Sequence, residues 1–222
     1  TVEKDGAVWL SGEKLGLEKD EVLIRNNGVP TYMAADIAYH RNKFITRGFD
    51  WVIDLWGADH HGHVERMKAA MTPFGVDKER FQVVLFQLVR LYRNGEIARM
   101  SKRTGRAISL GDLLEEVGRD AARFIFNLKT SGSHLDFDLD LAVKQSNENP
   151  VYYVQYAHAR ICSILRKLSE EGVTLRPIES VNLKLLKEPE EIELMRKLAE
   201  YPEEIALSAK TLEPSRITRY VM

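Results

Sequence analysis

Short apolar runs and amphipathic stretches alternate along the first half of the chain. Three of the runs predict strands: residues 21–25, 51–55 and 81–88. Two amphipathic stretches between them predict helices: residues 31–47 and 64–71. Thr31 suits the N-cap of the first helix, and Gly48 and Gly75 suit the positions that close the two helices. This alternation of strands and helices predicts a doubly wound α/β sheet.

Turn and cap signals follow this region. Asn94 and Gly95 suit a type I′ turn, so the sequence predicts a β-hairpin there. Ser109 and Asp112 predict the start of a helix that ends near Gly118.

The last third of the chain has the pattern of helices alone. Pro150 suits a first helical turn, and apolar residues recur at helical spacing after it: Val154, Ala157, Ile161, Leu165 and Leu168. Further helices are predicted over three ranges: residues 189–200, 203–210 and 214–222. The sequence therefore predicts an all-α bundle that begins near residues 147–149.

Composition and charge exclude several classes of protein. Hydrophobic residues make up 44% and charged residues 29%, which is ordinary for a globular domain. The net charge of −1 gives no overall attraction to a polyanion, so a nucleic-acid contact has to be local. No apolar run reaches the roughly 18 residues of a membrane-spanning helix, so no membrane partner is expected. The one cysteine, Cys162, excludes an internal disulfide and is expected to be a buried helical thiol, which fits the cytoplasm.

A basic segment over residues 98–106 is the most informative stretch of the sequence. It holds four cations with no acid among them: Arg99, Lys102, Arg103 and Arg106. The hydroxyl groups of Ser101 and Thr104 and the flexible backbone at Gly105 suit it to triphosphate oxygens. A cation on such a loop stabilises the charge that develops when a phosphoryl or adenylyl group is transferred. The alternative is a solvated basic turn.

A Gly-x-Asp turn follows the predicted strand at residues 51–55. Ligands of open α/β sheets bind at the carboxyl ends of strands. There Gly57 lets a ligand approach the backbone, and Asp59 can accept hydrogen bonds from ribose hydroxyl groups. A metal-dependent phosphoesterase is the second interpretation of this turn, and a purely structural loop is the third. The metal ligands of a phosphoesterase would be Asp59, His60 and His61, with His63 and Glu65 as additional candidates.

Tyr32, Asp36 and His40 share one face of the first predicted helix through their i,i+4 spacing. An aromatic side chain beside a carboxylate suits a guanidinium group, which packs on the ring and donates in pairs to the carboxylate. The alternative is a helix packed by Met33, Ile37 and Phe44, with Asp36 merely solvated.

Alternating acidic and apolar residues at 136–140 invite comparison with a calcium-binding loop. An EF-hand needs Gly at its sixth position and Glu at its twelfth, where this sequence has Leu141 and Asn147. An EF-hand is therefore excluded.

Five segments together resemble the arginyl-tRNA synthetases, a family of class I synthetases, and they occur in the order of that family. They are residues 29–32, 57–61, 66–70, 99–103 and 153–160. The segment from Arg99 to Arg103 is similar to the second class I signature, Lys-Met-Ser-Lys followed by Ser or Arg. It departs from the signature at Arg99, which keeps the charge of the first lysine but not its shape.

The resemblance implies an α/β fold, namely the C-terminal half of a Rossmann-like parallel-sheet catalytic domain followed by an all-α anticodon-binding bundle. Three parts are expected: residues 1–98 as the second half of the catalytic domain, 99–148 as the signature loop with connecting helices that contact the tRNA stem, and 149–222 as the N-terminal part of the anticodon-binding domain. Residues 136–140 would serve as an interdomain linker. The first signature, His-x-Gly-His, is absent, so the chain is expected to be a fragment with part of an active site.

The resemblance also implies a reaction, in which ATP with Mg²⁺ activates L-arginine for transfer to tRNA(Arg). The catalytic residues would be Lys102, Ser101 and Arg103. The ATP contacts would be Gly57, Asp59, His60, Met100 and Lys102. The arginine contacts would be Tyr32, Asp36 and His60. The tRNA contacts would be Tyr153, Tyr156 and Arg160, although helix core is the alternative for the tyrosines. No resident metal is implied, and a non-catalytic tRNA-binding fragment remains a further alternative.

Overall fold

The computed structural model describes residues 1–99 and 107–222, which form two compact units, Thr1–Leu88 and Val89–Met222. The predicted fold class is confirmed, because strands and helices alternate in the first unit and the end of the chain is helical. The functional division at residues 98 and 148 stays a prediction. Along the described ranges, no helix combines the length and the apolar character needed to cross a bilayer.

A three-stranded antiparallel sheet opens the first unit. Its strands are β1 (Val2–Lys4), β2 (Ala7–Leu10) and β3 (Glu21–Ile24), with the short helix α1 (Gly12–Leu15) between β2 and β3. The strand predicted at residues 21–25 is confirmed, but its expected place in the parallel sheet is wrong. It pairs antiparallel with β2, because the β1–β2 hairpin offers it a free edge.

Two further strands form the parallel part of the first unit: β4 (Val52–Gly57) and β5 (Phe81–Phe86). Their register runs from Val52 opposite Phe81 to Gly57 opposite Phe86. Helix α3 (His61–Met71) provides the crossover that parallel strands need. Short 3-10 turns flank these elements at Ala58–His60, Thr72–Phe74 and Lys78–Arg80. Both strands and the helix agree with the sequence prediction.

Helix α2 (Tyr32–Arg41) precedes β4 and continues into a π-helical turn, Asn42–Thr46. Thr31 caps it as predicted, since its hydroxyl oxygen accepts a hydrogen bond from the Ala34 N–H. The apolar sides of α2, α3, β4 and β5 share one core around the fully buried Met67 and Phe81. This shared core holds α2 beside β4.

The second unit contains a small mixed sheet in the order β7-β6-β8. Its strands are β6 (Val89–Arg93), β7 (Glu96–Ile97) and β8 (Leu135–Asp138). Asn94 and Gly95 join β6 to β7 with φ angles of 51° and 76°. Both angles are left-handed, as a type I′ turn requires, so the predicted hairpin is confirmed.

Residues 136–140 are not an interdomain linker, which corrects the sequence prediction. Leu135 and Phe137 are buried, whereas Asp136 and Asp138 are exposed. This alternation is the period-two pattern of a half-buried strand, and β8 pairs in parallel with β6.

Three helices pack on this sheet: α4 (Leu110–Val117), α5 (Arg119–Phe126) and α6 (Leu139–Ala142). Ser109 and Asp112 form a capping box at the start of α4, because the side chain of each accepts a hydrogen bond from the backbone N–H of the other. Gly118, with φ of 81°, ends α4 where the sequence predicted. The core of the unit centres on Leu113, Phe137 and Leu139.

The remaining helices are α7 (Pro150–Glu170), α8 (Pro189–Thr211) and α9 (Ser215–Val221), with 3-10 turns at Ile178–Ser180 and Leu183–Leu185. The two helices predicted at residues 189–200 and 203–210 are one continuous helix, so that prediction is wrong. Pro202 lies inside α8. A proline removes one backbone donor, and the helix continues because the turns on both sides keep theirs.

The apolar pattern of α7 is helical as predicted, but the expected burial is not found. Ile161 and Leu165 are 57% and 45% exposed. Cys162 is half-buried rather than buried, with its Sγ 3.6 Å from Nε2 of His158. Helical periodicity predicts which residues share a face, but not whether another element covers that face.

Candidate active site

A cavity of about 490 Å³ lies in the first unit, between α2, β4 and the start of α3. Its walls come from three segments: Asp36, Tyr39, His40 and Lys43; Ile53 to Gly57; and His60 and His63. The carboxyl end of β4 opens into the cavity, as expected for a ligand site of an α/β unit. Of the predicted site residues, the cavity brings together Asp36, Gly57 and His60.

The Asp36 carboxylate is available to a ligand in this cavity. Its side chain is 49% exposed, and one oxygen lies 3.3 Å from Nε2 of His63. The imidazole of His63 packs against Trp56 with ring centroids 5.3 Å apart. This packing fixes the position of the imidazole that contacts Asp36. Tyr32 starts the same helix but is 89% exposed and does not line the cavity.

The turn after β4 begins with a glycine, and the Asp59 side chain takes up the space that a larger residue would fill. Gly57 has extended backbone angles, but a Cβ atom there would collide with Oδ1 of Asp59. The side chains of Asp59 and His60 are 82% and 60% exposed, with Oδ2 and Nε2 3.7 Å apart. Asp59 stands beside the cavity rather than in its wall, and both side chains are open to a ligand.

A buried polar cluster of three side chains forms another part of the wall. His40, at 3% exposure, donates from Nδ1 to the backbone carbonyl oxygen of Asp36 at 2.7 Å. Its Nε2 lies 2.5 Å from Oδ2 of Asp54, and Nζ of Lys43 donates to Oδ1 of Asp54 at 2.7 Å. We name these three side chains, His40, Lys43 and Asp54, the buried cluster.

Asp54 is a carboxylate in this cluster, although it is only 9% exposed. Burial raises the pKa of its carboxyl group, but hydrogen bonds from His40 and Lys43 outweigh burial and bring the pKa below the usual 3.8. Because this carboxylate is buried, removal of either donor would leave its charge poorly compensated and would destabilise the fold.

Acid should weaken the contribution of the buried cluster to the stability of the fold. Since the pKa of Asp54 is lower in the fold than the usual 3.8, the cluster adds stability above that pH and loses it as the pH falls through the lower folded value. We therefore expect Asp54→Asn to lower the melting temperature of the first unit near neutral pH, and the difference from wild type to shrink below about pH 4. Thermal unfolding followed by circular dichroism from pH 7 to pH 2 measures this. A difference that stays constant over that range would contradict it.

Sequence reasoning missed Lys43 and Asp54 as parts of the site, and it considered His63 only as an additional metal ligand of a phosphoesterase. One signal was available for Asp54, an acid at an inward position of a strand whose neighbour Val52 is apolar and buried. Lys43 and His63 gave no such signal, because their roles depend on partners 11 and 27 residues away.

The phosphoesterase interpretation gains no support from the site. Within residues 1–99 and 107–222, no three His, Cys, Asp or Glu side chains come together as metal ligands. His61 and Glu65 are exposed on the first turns of α3.

The predicted tRNA contacts lie on α7 in the second unit. Tyr153 and Tyr156 are 46% and 48% exposed, so the helix-core alternative does not hold for them. Tyr156 stacks on Tyr152 with ring centroids 5.9 Å apart and planes within 8°, and the Arg160 guanidinium lies 5.9 Å from the Tyr156 ring centroid. This exposed ladder of rings and a cation is suited to stacking with bases.

Residues 100–106 of the basic segment lie outside the described residues. They include the predicted catalytic residues Lys102, Ser101 and Arg103 and the predicted ATP contact Met100.

Comparison with known proteins identifies the class of the chain. Residues 154–222 match the family model of the DALR anticodon binding domain. A Campylobacter jejuni structure assigned as an arginyl tRNA synthetase superposes with a TM-score of 0.82 and 36% identity, over 99% of this chain and 47% of that one. Both matches are to parts of aminoacyl-tRNA synthetases, which is the class of protein that this chain is similar to.

Relatives of known name narrow the class to one family. The chain is 71% identical over 221 residues to the arginine–tRNA ligase of Ruminiclostridium cellulolyticum and 72% identical over 222 residues to that of Acetivibrio thermocellus. Both matches cover 100% of this chain and 39% of the relative, so the chain spans about two fifths of the length of these proteins. Over its whole length the chain is similar to part of the arginyl-tRNA synthetases, and the resemblance seen in its five segments is confirmed.

Proposed function

We propose that this chain works as part of a full-length arginine–tRNA ligase. The reaction is activation of L-arginine by ATP to arginyl-adenylate and pyrophosphate, followed by transfer of arginine to the terminal ribose of tRNA(Arg). One observation carries this proposal: Asp36, Gly57 and His60 line the same cavity at the end of β4. The carboxylate proposed to bind arginine and the turn proposed to bind ATP are therefore close enough for the two substrates to lie side by side.

Selection of arginine falls to Asp36. A half-exposed carboxylate in a cavity offers paired acceptors to the planar guanidinium, and such charge-assisted bonds are strong where water is partly excluded. His60 lines the cavity beside it and would contact the arginine as well. Tyr32 lies on α2 four residues before Asp36 and would contact the arginine from outside the cavity wall.

Binding of ATP falls to the turn and the basic segment. Gly57 would let the nucleotide approach the backbone, Asp59 would accept from the ribose hydroxyl groups, and His60 and Met100 would complete the contacts. Lys102, with Ser101 and Arg103, would stabilise the charge on the leaving pyrophosphate, an electrostatic rather than a covalent contribution. Mg²⁺ enters with ATP as its counter-ion and belongs to the substrate.

Recognition of tRNA falls to α7. Tyr153 and Tyr156 offer exposed rings for base stacking, and Arg160 offers a cation beside them. Because the chain has a net charge of −1, this contact depends on local geometry rather than on a basic surface. The proposal keeps the three functional parts expected from the sequence: residues 1–98, 99–148 and 149–222. It also includes action of the enzyme in the cytoplasm.

A glycine substitution tests the nucleotide turn. Gly57→Ala should displace the Asp59 carboxylate, because the new methyl group occupies the space of its Oδ1. In the full-length enzyme we expect KM for ATP to rise about tenfold, with KM for arginine nearly unchanged, as a misplaced contact weakens one ligand only. Gly62→Ala is the matched control, since a Cβ there meets nothing within 4 Å. An unchanged KM for ATP in Gly57→Ala would remove the turn from the site.

Charging of tRNA tests the whole proposal. The full-length enzyme should attach radiolabelled arginine, but not lysine, to tRNA(Arg). The 222-residue chain alone should attach neither, because it spans 39% of the length of its relatives. Binding of tRNA by the full-length protein without any binding of ATP would favour the non-catalytic alternative instead.

A further inference from the structure

Two carboxylates line the cavity of the first unit, and they differ in how closely other side chains of the protein contact them. Among the described lining residues these are Asp36 and Asp54. Asp36 is half exposed and has one contact, at 3.3 Å, to His63. Asp54 is buried and receives two shorter contacts, 2.5 Å from His40 and 2.7 Å from Lys43.

His40 and Lys43 each occupy one oxygen of the Asp54 carboxylate, so loss of Lys43 would free Oδ1 as an acceptor. Nε2 of His40 donates to Oδ2 of the Asp54 carboxylate across 2.5 Å, so the charges of this pair balance each other. Lys43 then adds one positive charge, and its Nζ also lies 4.5 Å from the ring centroid of Tyr39. The buried cluster as a whole carries a charge of +1 beside the cavity.

The backbone supports this arrangement. Lys43 lies in the π-helical turn Asn42–Thr46, whereas His40 and Asp36 lie in the regular part of α2. Such widened turns re-aim side chains and are frequent at functional sites. His40 faces the Phe81 ring at 4.8 Å and cannot turn away without disturbing the core.

We propose that Lys43 is a specificity-determining residue, whose ammonium group together with His40 occupies Asp54 and so leaves Asp36 as the carboxylate that binds the guanidinium. The Lys43 ammonium group takes the place that a ligand cation would otherwise occupy at Asp54. The cation therefore binds at Asp36, where its binding leads to reaction. His40 is a positioning residue, because its Nδ1 donates a hydrogen bond to the backbone carbonyl oxygen of Asp36. This inference rests on the proposed selection of arginine.

A titration of the full-length enzyme with methylguanidinium ion tests directly which carboxylate binds the cation. The carboxyl ¹³C resonances of Asp36 and Asp54 report which group binds. In the wild type we expect Asp36 alone to respond, and in Lys43→Met we expect Asp54 to respond as well. Lys43→Arg should behave like the wild type because it keeps the cation. A wild-type response at Asp54, or no response there in Lys43→Met, would overturn the inference.

Two controls separate the possible failures. Lys4→Met removes the partner of Asp20, another aspartate whose pKa is lowered by hydrogen bonds from Lys4 and the Gly12 N–H, and it should leave both reporter resonances unchanged. If neither Asp36 nor Asp54 responds to the probe in the wild type, the proposed arginine site fails. If Asp36 responds in every variant and Asp54 in none, the arginine site stands and the role of Lys43 is refuted.

Kinetics of the full-length enzyme give an independent reading. A second carboxylate open to the substrate creates a non-productive binding mode, which lowers kcat and KM together. For Lys43→Met we expect both kcat and KM for arginine to fall about tenfold, with kcat/KM nearly unchanged. Lys43→Met/Asp54→Asn should restore both, because it removes the competing carboxylate. A fall in kcat alone, unrelieved in the double variant, would identify Lys43 as merely structural.

Discussion

Lys102→Ala should lower the rate of arginine-dependent ATP–pyrophosphate exchange by about two to three orders of magnitude, the usual cost of losing one charge stabiliser of a transition state. The lysine would meet negative charge that builds up on the leaving pyrophosphate, so its effect falls on the chemical step. Binding of arginine, measured by calorimetry on the same variant, should stay within about twofold of wild type. Exchange rates of the full-length enzyme at saturating ATP and arginine give the first value.

A matched control for this experiment is Lys129→Ala, which removes an exposed lysine of the second unit outside the basic segment. It should leave exchange unchanged. If Lys102→Ala weakened arginine binding and exchange by the same factor, the lysine would act in substrate binding or folding, and its assignment to the pyrophosphate would be wrong.

Asp36→Ala should raise KM for arginine roughly thirtyfold or more, since a hydrogen-bonded ion pair in a partly dry site contributes about 2 kcal/mol or more. The effect on KM for ATP should be small, because the nucleotide turn is held by β4 and by its register with β5 rather than by α2. Initial rates of the full-length enzyme across a range of arginine concentrations measure this.

Asp50→Ala provides the comparison for Asp36. Asp50 is an exposed aspartate between α2 and β4, but it does not line the cavity. Its loss should leave KM for arginine unchanged. An unchanged KM in Asp36→Ala would remove the carboxylate from the arginine site.

Much of the fold could be predicted because its signals are local. Thr31 caps a helix through its own side chain, and Asn94 with Gly95 tolerates the left-handed angles of a tight turn. The partner of β3 could not be predicted, because pairing depends on a hairpin elsewhere in the chain. The continuity of α8 through Pro202 could not be predicted either, since the effect of a proline in a helix depends on its surroundings.

The candidate site was less accessible to sequence reasoning. Asp36 and Gly57 were found because helical spacing and the end of a strand mark them. The buried cluster was not found, since its atoms meet only when α2 and β4 pack on a common core. The role of Lys102 came from resemblance to a signature, because charge alone cannot separate a phosphate loop from a solvated turn.

The central claim is that one cavity at the end of β4 joins arginine to ATP. The most direct measurement is ATP–pyrophosphate exchange by the full-length protein, with each of several amino acids offered in turn. Exchange that requires arginine, and that lysine at the same concentration does not support, is the predicted result. Exchange at equal rates with lysine, or none with arginine, would contradict the claim.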